Sequence, residues 1–222
     1  MTSTRTDEII AVLASGGLDS SILISELLRQ GRQIQPLYVR SDLVWERDES
    51  QSLRRYLQVV DSPKINDLAV LSLPLEDLYG DHWSTSGEDT PGGDTADEAV
   101  FLPGRNALLV VKAAVWCQLN GVGELALAPL GTSPFADATE QFFDHAQAMF
   151  NCYPGKPLRI VLPFSGFNKR QVMQRGRDCP LELTFSCISP VEGIHCGRCN
   201  KCAERRQAFR EVGLDDSTRY AS

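Results

Sequence analysis

Two rhythms of apolar and polar residues alternate along the chain. Residues 8–14, Glu-Ile-Ile-Ala-Val-Leu-Ala, make a short apolar run closed by Gly16 and Gly17, the pattern of a buried strand. Over 19–30 the apolar positions Ile22, Leu23, Ile24, Leu27 and Leu28 recur at helical spacing, and Gly31 follows as a stop. A second strand is expected at 34–39, with Pro36 favouring its beginning or an edge. A helix over 46–60 and a strand over 68–73 continue the series. Beyond them, Pro103-Gly104-Arg105-Asn106 leads into an apolar-rich helix over 107–119, followed by a strand at 124–129 and an amphipathic helix at 140–150. A strand at 158–162, a short helix at 168–176 and a last helix from near Gly197 complete the pattern. Strand alternating with helix predicts an α/β fold, an open parallel sheet with helices on both faces. Residues 84–99 break the rhythm with Ser, Thr, Gly, acidic residues and Pro91-Gly92-Gly93, and read as a solvated linker in preference to a lid.

Composition narrows the picture. A chain of 222 residues fits one domain, or one domain with a small appendage, and can bury a substantial core. The sequence contains no apolar run of membrane-spanning length, and Met1-Thr2-Ser3-Thr4-Arg5-Thr6-Asp7 lacks the apolar centre of a signal peptide, so a cytoplasmic protein is expected. Seven cysteines, an odd number, argue against a disulfide framework. The net charge of −7 disfavours broad attraction to nucleic acid and makes a small-molecule substrate the default.

The segment Ser15-Gly16-Gly17-Leu18-Asp19-Ser20-Ser21 joins the first expected strand to the first expected helix. Glycines let the backbone turn tightly against a ligand, and the helix that follows offers free N–H groups and a partial positive charge, which together make an anion cradle. Ser15, Ser20 and Ser21 add hydroxyl donors, and Asp19 is a candidate ligand for Mg²⁺ on a bound phosphate. No lysine follows the glycines as in a Walker loop.

Near the other end, Cys187, Cys196, Cys199 and Cys202 are spaced C-x8-C-x2-C-x2-C, with Cys199 and Cys202 at i, i+3 on one helix face. Closely spaced thiolates reach a tetrahedral zinc ion at little loop-closure cost. Four sulfur ligands leave no open position, so the expected role of the zinc is structural. His195 is expected to pack beside this site, and Cys117 to be a small core residue. Cys152, Cys179, His82 and His145 have no partner spacing that points to chemistry.

Ser-Gly-Gly-x-Asp-Ser between strand and helix resembles the PP-loop of ATP pyrophosphatases. The stretch Pro180-Leu181-Glu182-Leu183-Thr184-Phe185-Ser186-Cys187, then His195-Cys196-Gly197-Arg198-Cys199 through Cys202, then Arg205-Arg206-Gln207-Ala208-Phe209, is similar to the ending of the 7-cyano-7-deazaguanine synthases within that superfamily. Pro103-Gly104-Arg105-Asn106 and Lys169 also match. The resemblance implies a PP-loop α/β domain over 1–183, a C-terminal zinc-binding helical subdomain over 184–222, and a homodimer. It implies ATP with Mg²⁺ as substrate, bound by residues 15–21, and conversion of a carboxylate to a nitrile with ammonia through an adenylate. Asp19, Arg105 and Lys169 are the catalytic candidates, and Arg105, Asn106 and Asp137 the candidates for holding the acid. Two segments depart from the family pattern: Tyr38-Val39-Arg40-Ser41-Asp42-Leu43, and the short stretch 131–139 containing Asp137. Both fall where the acid is expected, so a different carboxylate with an amide product, or a thiolase-type modification of tRNA, remain alternatives.

Overall fold

The computed structural model describes residues 9–152 and 154–222; Glu8 of the first expected strand and the stretch Met1–Asp7 lie outside them. Five parallel strands, β1 (Ile9–Leu13), β2 (Gln33–Arg40), β3 (Ala69–Ser72), β4 (Glu124–Ala126) and β5 (Arg159–Val161), form one sheet in the order β3-β2-β1-β4-β5. The helices are α1 (Leu18–Arg29), α2 (Glu46–Val60), the single turns α3 (Glu76–Tyr79) and α4 (Trp83–Ser86), α5 (Arg105–Leu119), α6 (Glu140–Phe150), α7 (Lys169–Arg175) and α8 (Asn200–Val212). Strand alternation sorts the core into two layers. Ile10, Val12 and Ile34 point toward α1, α7 and α8, packing on Ile22, Leu23, Val172 and Phe209. Ala11, Leu37 and Leu125 point the other way, onto Val110, Ala113, Cys117 and Phe143 of α5 and α6. Helices therefore cover both faces, the arrangement that all-parallel sheets require.

Three local readings are corrected. Pro36 lies inside β2, between β1 and β3, and pairs with Val12 instead of lying at an edge. Its missing N–H is harmless because Ile34 bonds toward Lys64 and Asn66 on the β3 side, Pro36 shares that side by the two-residue period, and the β3 ladder begins only at Leu37. Residues 84–99 are not a free linker. Gly93 N–H donates to Arg198 O at 2.8 Å, Asn200 N–H to Pro91 O at 2.9 Å and Asn200 Nδ2 to Thr95 O at 2.9 Å, so the segment is strapped to the cysteine region. The last helix starts three residues later than Gly197, which has φ 81° and a Cβ position already filled by the carbonyl of Ser222. Cys199 is the residue that caps it.

Gly176, which ends α7, abuts α1 so closely that a Cβ would overlap the fully buried Ile22 side chain. Gly176→Ala is expected to destabilise the fold by about 1–3 kcal/mol through overpacking, read as a fall in Tm of several degrees. A thermal melt indistinguishable from that of the parent chain would contradict the close packing of α1 on α7.

Candidate active site

The strand order reverses direction of build-up between β1 and β4, and open α/β sheets bind ligands in the crevice outside the carboxyl ends of the strands at such a point. A cavity of about 500 Å³ opens there, lined by Ser15, Asp19 and Ser20 after β1, by Tyr38 in β2, and by Leu127, Ala128 and Leu130 after β4. A second lobe of about 310 Å³ continues from it past Gly17 and Leu18 to Trp45, Trp83, Phe185 and Ile188. The two lobes meet at Ser15, Asp19, Glu49, Arg105, Lys169 and Glu204.

The loop after β1 is held by its own residues. Gly16 has φ 81°, and a Cβ there would sit 2.9 Å from Glu49 O and 3.1 Å from Leu53 Cβ, so only glycine fits. Ser15 Oγ accepts from Gly17 N–H at 3.2 Å and meets Ser20 Oγ at the same distance, while Phe185 N–H donates to Gly16 O at 2.8 Å. Gly17 caps α1 without a side-chain hydrogen bond, so the N–H groups of the first turn, Leu18, Asp19 and Ser20, are left for a ligand. Gly16 and Ser21 do not line the cavity: Gly16 is spent on the turn, and Ser21 is fully buried behind it, its carbonyl accepting from Tyr56 Oη at 2.9 Å.

Asp19 and Lys169, 150 residues apart in the chain, meet at 2.7 Å, and Lys169 also contacts Glu204 Oε1 at 3.1 Å. Asn168 caps α7 in a reciprocal capping box with Gln171, which places Lys169 at the first position of that helix and turns it into the crevice. Glu204 in turn holds Lys201 at 2.6 Å. Burial works against the charge on Lys169, but Asp19 and Glu204 overcome it and raise its pKa. Burial likewise opposes ionisation of Glu204, yet Lys169 and Lys201 hold its carboxyl down at about 2. Lys169 and Glu204 are thus both charged at neutral pH. Asp19 lines the cavity, and its Oδ1 is buried with no hydrogen-bond partner among the described residues, which leaves a carboxylate oxygen of the kind that suits a divalent cation.

Arg105 and Asn106 open α5 and reach the cavity. Asp137 does not: its carboxylate accepts from Asn106 N–H and Nδ2 at 3.3 Å, capping α5, whose N-cap Gly104 has no side chain to do so. It holds the first turn of α5, which carries Arg105, and does not itself line the cavity. Motif spacing also passed over Tyr38, Glu49, Lys201 and Glu204. The last two were accessible in principle, because Lys201, Glu204, Ala208 and Glu211 form one stripe at helical spacing on α8 and all four line the cavity.

The four cysteines are buried, none forms a disulfide, and their sulfur atoms lie within 4.8 Å of one another. Cys187–Cys199 and Cys196–Cys202 sulfur pairs are both 3.9 Å apart, close to the edge of about 3.8 Å that a tetrahedron with 2.3 Å metal–sulfur bonds requires. Backbone N–H groups of Ser189 and Cys196 point at Cys187 Sγ, and those of Arg198 and Cys199 at Cys196 Sγ, at 3.3–3.4 Å. Such donors stabilise thiolates, so the residues fit a metal ion. His195 is no ligand: Nε2 accepts from Ser186 N–H at 3.1 Å, and the ring packs on Phe185 and Tyr220. Arg205, fully buried one turn into α8, donates to Thr184, Ser186, Leu181 O and Thr218, binding the metal region to the segment that supports the loop after β1.

Sheet order, loop and cavity together define an α/β nucleotide-binding protein of the PP-loop type. The sequence profile of the family described as Queuosine biosynthesis protein QueC matches residues 9–213, and the chain belongs to that family. It is 26% identical to the 7-cyano-7-deazaguanine synthase of Methanothrix thermoacetophila, with 94% of this chain and 96% of that protein covered. It is 28% identical to the synthase of the same name from Solidesulfovibrio magneticus over 98% of each chain. Among solved structures, a 4-thiouridine synthetase in complex with RNA and bound ATP aligns with 93% of this chain and 50% of its own, at a TM-score of 0.51 and 15% identity, a likeness of fold alone. No helix of the described residues is long and apolar enough to cross a membrane.

Proposed function

We propose that the chain uses ATP to convert the carboxylate of 7-carboxy-7-deazaguanine to a nitrile with ammonia. Family membership carries this reading, and the two-lobed cavity supports it: one lobe at the sheet switch point for the nucleotide, the other flanked by Trp45 and Trp83, stacked 5.7 Å apart, for a flat heteroaromatic acid. A carboxylate is a poor electrophile because its oxygen is a poor leaving group. Attack of that oxygen on the α-phosphate expels pyrophosphate and turns it into AMP, ammonia displaces AMP to give the amide, and a second activation of the amide oxygen permits loss to the nitrile. The N–H groups of residues 18–20 and the hydroxyls of Ser15 and Ser20 would cradle the phosphates. Lys169, Lys201 and Arg105 would neutralise charge that builds between the α and β phosphates, most of the catalysis being positioning and electrostatics. Asp19 Oδ1 would hold the Mg²⁺ that accompanies ATP and shields its phosphates. The carboxylate of the acid is assigned to Arg105, whose planar guanidinium borders both lobes, and to Asn106 where the first lobe meets it at the start of α5.

The metal of the cysteine site is proposed to be zinc, and residues 184–222 a metal-held subdomain after a PP-loop domain of residues 9–183. A cytoplasmic homodimer completes the reading; the exposed row Val111, Val115 and Leu119 on one face of α5 is compatible with a contact between copies. A tRNA thiolase is disfavoured because no cysteine lines either lobe and the chain is acidic. The test is AMP and pyrophosphate release on mixing the protein with ATP, ammonia and 7-carboxy-7-deazaguanine. Release that requires the acid is expected, with twice as much AMP per product if the nitrile forms than if the reaction stops at the amide. ADP formation without acid would overturn the reading, and AMP with a different acid only would keep the ligase and change its substrate.

A further inference from the structure

At neutral pH dissolved ammonia is almost entirely ammonium, which has no lone pair with which to attack an adenylate. A proton acceptor beside the activated carbon would therefore raise the supply of free ammonia where it is used. Glu49, on the inner face of α2, is 8% exposed and borders both lobes at their junction. One of its oxygens accepts from Tyr38 Oη at 2.9 Å; the other takes no hydrogen bond among the described residues. The other acids of the cavity are committed or displaced. Glu204 is paired with Lys169 and Lys201, and Asp19 with Lys169. Glu46, beside Glu49 but outside the lining of both lobes, accepts from the N–H groups of Ser41 and Asp42 at 2.7–2.8 Å. Asp97 and Glu211 touch only the first lobe.

We infer that Glu49, oriented by Tyr38, is the general base that takes a proton from ammonium at the junction of the lobes and delivers ammonia to the acyl adenylate. This rests on the ligase reading above. Ammonium gives one proton to the Glu49 carboxylate, and the nitrogen lone pair forms the C–N bond. The C–O bond to AMP breaks, AMP leaves with that electron pair, and its phosphate takes the second proton from nitrogen. The amide, AMP and a protonated Glu49 result, and the carboxyl is reset by loss of its proton to solvent. The surroundings of Glu49 suit the task. Burial pushes its carboxyl up, as does Glu46 beside it, while Arg105 across the cavity and the Tyr38 hydroxyl act the other way, leaving it at about 7. A base with a pKa near the working pH transfers protons most effectively.

The experiment compares ammonia with hydroxylamine, a nucleophile already neutral at pH 7, each supplied with ATP and 7-carboxy-7-deazaguanine. In Glu49→Gln the ratio of ammonia-supported to hydroxylamine-supported turnover is expected to fall about 10²-fold or more, the usual contribution of a general base. Tyr38→Phe, which removes the hydrogen bond that orients Glu49, should lower the same ratio about two- to tenfold. A ratio unchanged in both variants overturns the inference, since a purely structural Glu49 would slow both nucleophiles alike. Loss of both reactions together in Glu49→Gln overturns it as well, by placing the residue in adenylation or folding. Should the parent enzyme release no AMP with this acid and either nucleophile, the ligase reading itself fails, a result distinct from either of these.

Discussion

Asp19→Asn is expected to lower the rate of AMP formation by about 10²–10³-fold, the loss that follows removal of one preorganised charged group from an active site. The substitution keeps the size of the side chain and removes its charge. The carboxylate proposed to hold a divalent cation is lost, and Lys169 loses the negative charge 2.7 Å away at the position where phosphate charge would be met. Lys169 keeps Glu204, so the fold should survive with a Tm near that of the parent, and single-turnover AMP formation isolates the chemical defect. A rate within about tenfold of the parent would remove Asp19 from the chemistry. The pH dependence of the remaining contact follows from its sign. Glu204 is held well below its ordinary value, so its contribution is in full force above about pH 4.5 and is lost as the pH falls toward about 2. Neutral assays therefore read the network intact.

Removal of the metal is expected to abolish nucleotide binding as well as to loosen the C-terminal region. A structural zinc site contributes about 10–16 kcal/mol of apparent binding free energy, comparable with the whole stability of a domain. Here the site is coupled to the cavity through α8. Cys199 caps that helix, Cys202 lies in its first turn, and between and beyond them Lys201 and Glu204 enter both lobes. Strapping of residues 91–95 to residues 198–200 depends on the same cage. Stoichiometric metal analysis, chelation, and the rise in Tm caused by ATP form the measurement, with Cys199→Ser as the genetic counterpart. The chelated protein should show no ATP-dependent rise in Tm and should become open to proteolysis near residues 91–95 and 184–202. A fully chelated chain that binds ATP with unchanged affinity would separate the cage from the site.

The limits of sequence reasoning fall at particular residues. The helix at 46–60 and that at 140–150 were readable to the residue because their apolar faces and polar faces are set by local spacing. Pro36 was misplaced because a proline's tolerance depends on which neighbour lies opposite its missing N–H, and that is a property of the sheet. The family resemblance makes Asp137 a candidate for holding the acid, and only the fold shows that its carboxylate caps α5, where Gly104, 33 residues away, has no side chain to do so. Glu49 carried no motif at all; its chemistry comes from burial and from Tyr38 and Arg105, on two other elements.

By itself the sequence determined the loop Ser15–Ser21 and the cysteine cage, since in each the functional groups are near neighbours along the chain and their geometry follows from a turn and a helix start. The family came with them. Tertiary structure alone decided that Asp19 meets Lys169, that α8 joins the cysteine cage to the cavity through Lys201 and Glu204, and that Glu49 stands where the lobes join. Those contacts span tens to more than a hundred residues of chain, and only the closing of the parallel sheet, with its reversal between β1 and β4, brings them within bonding distance.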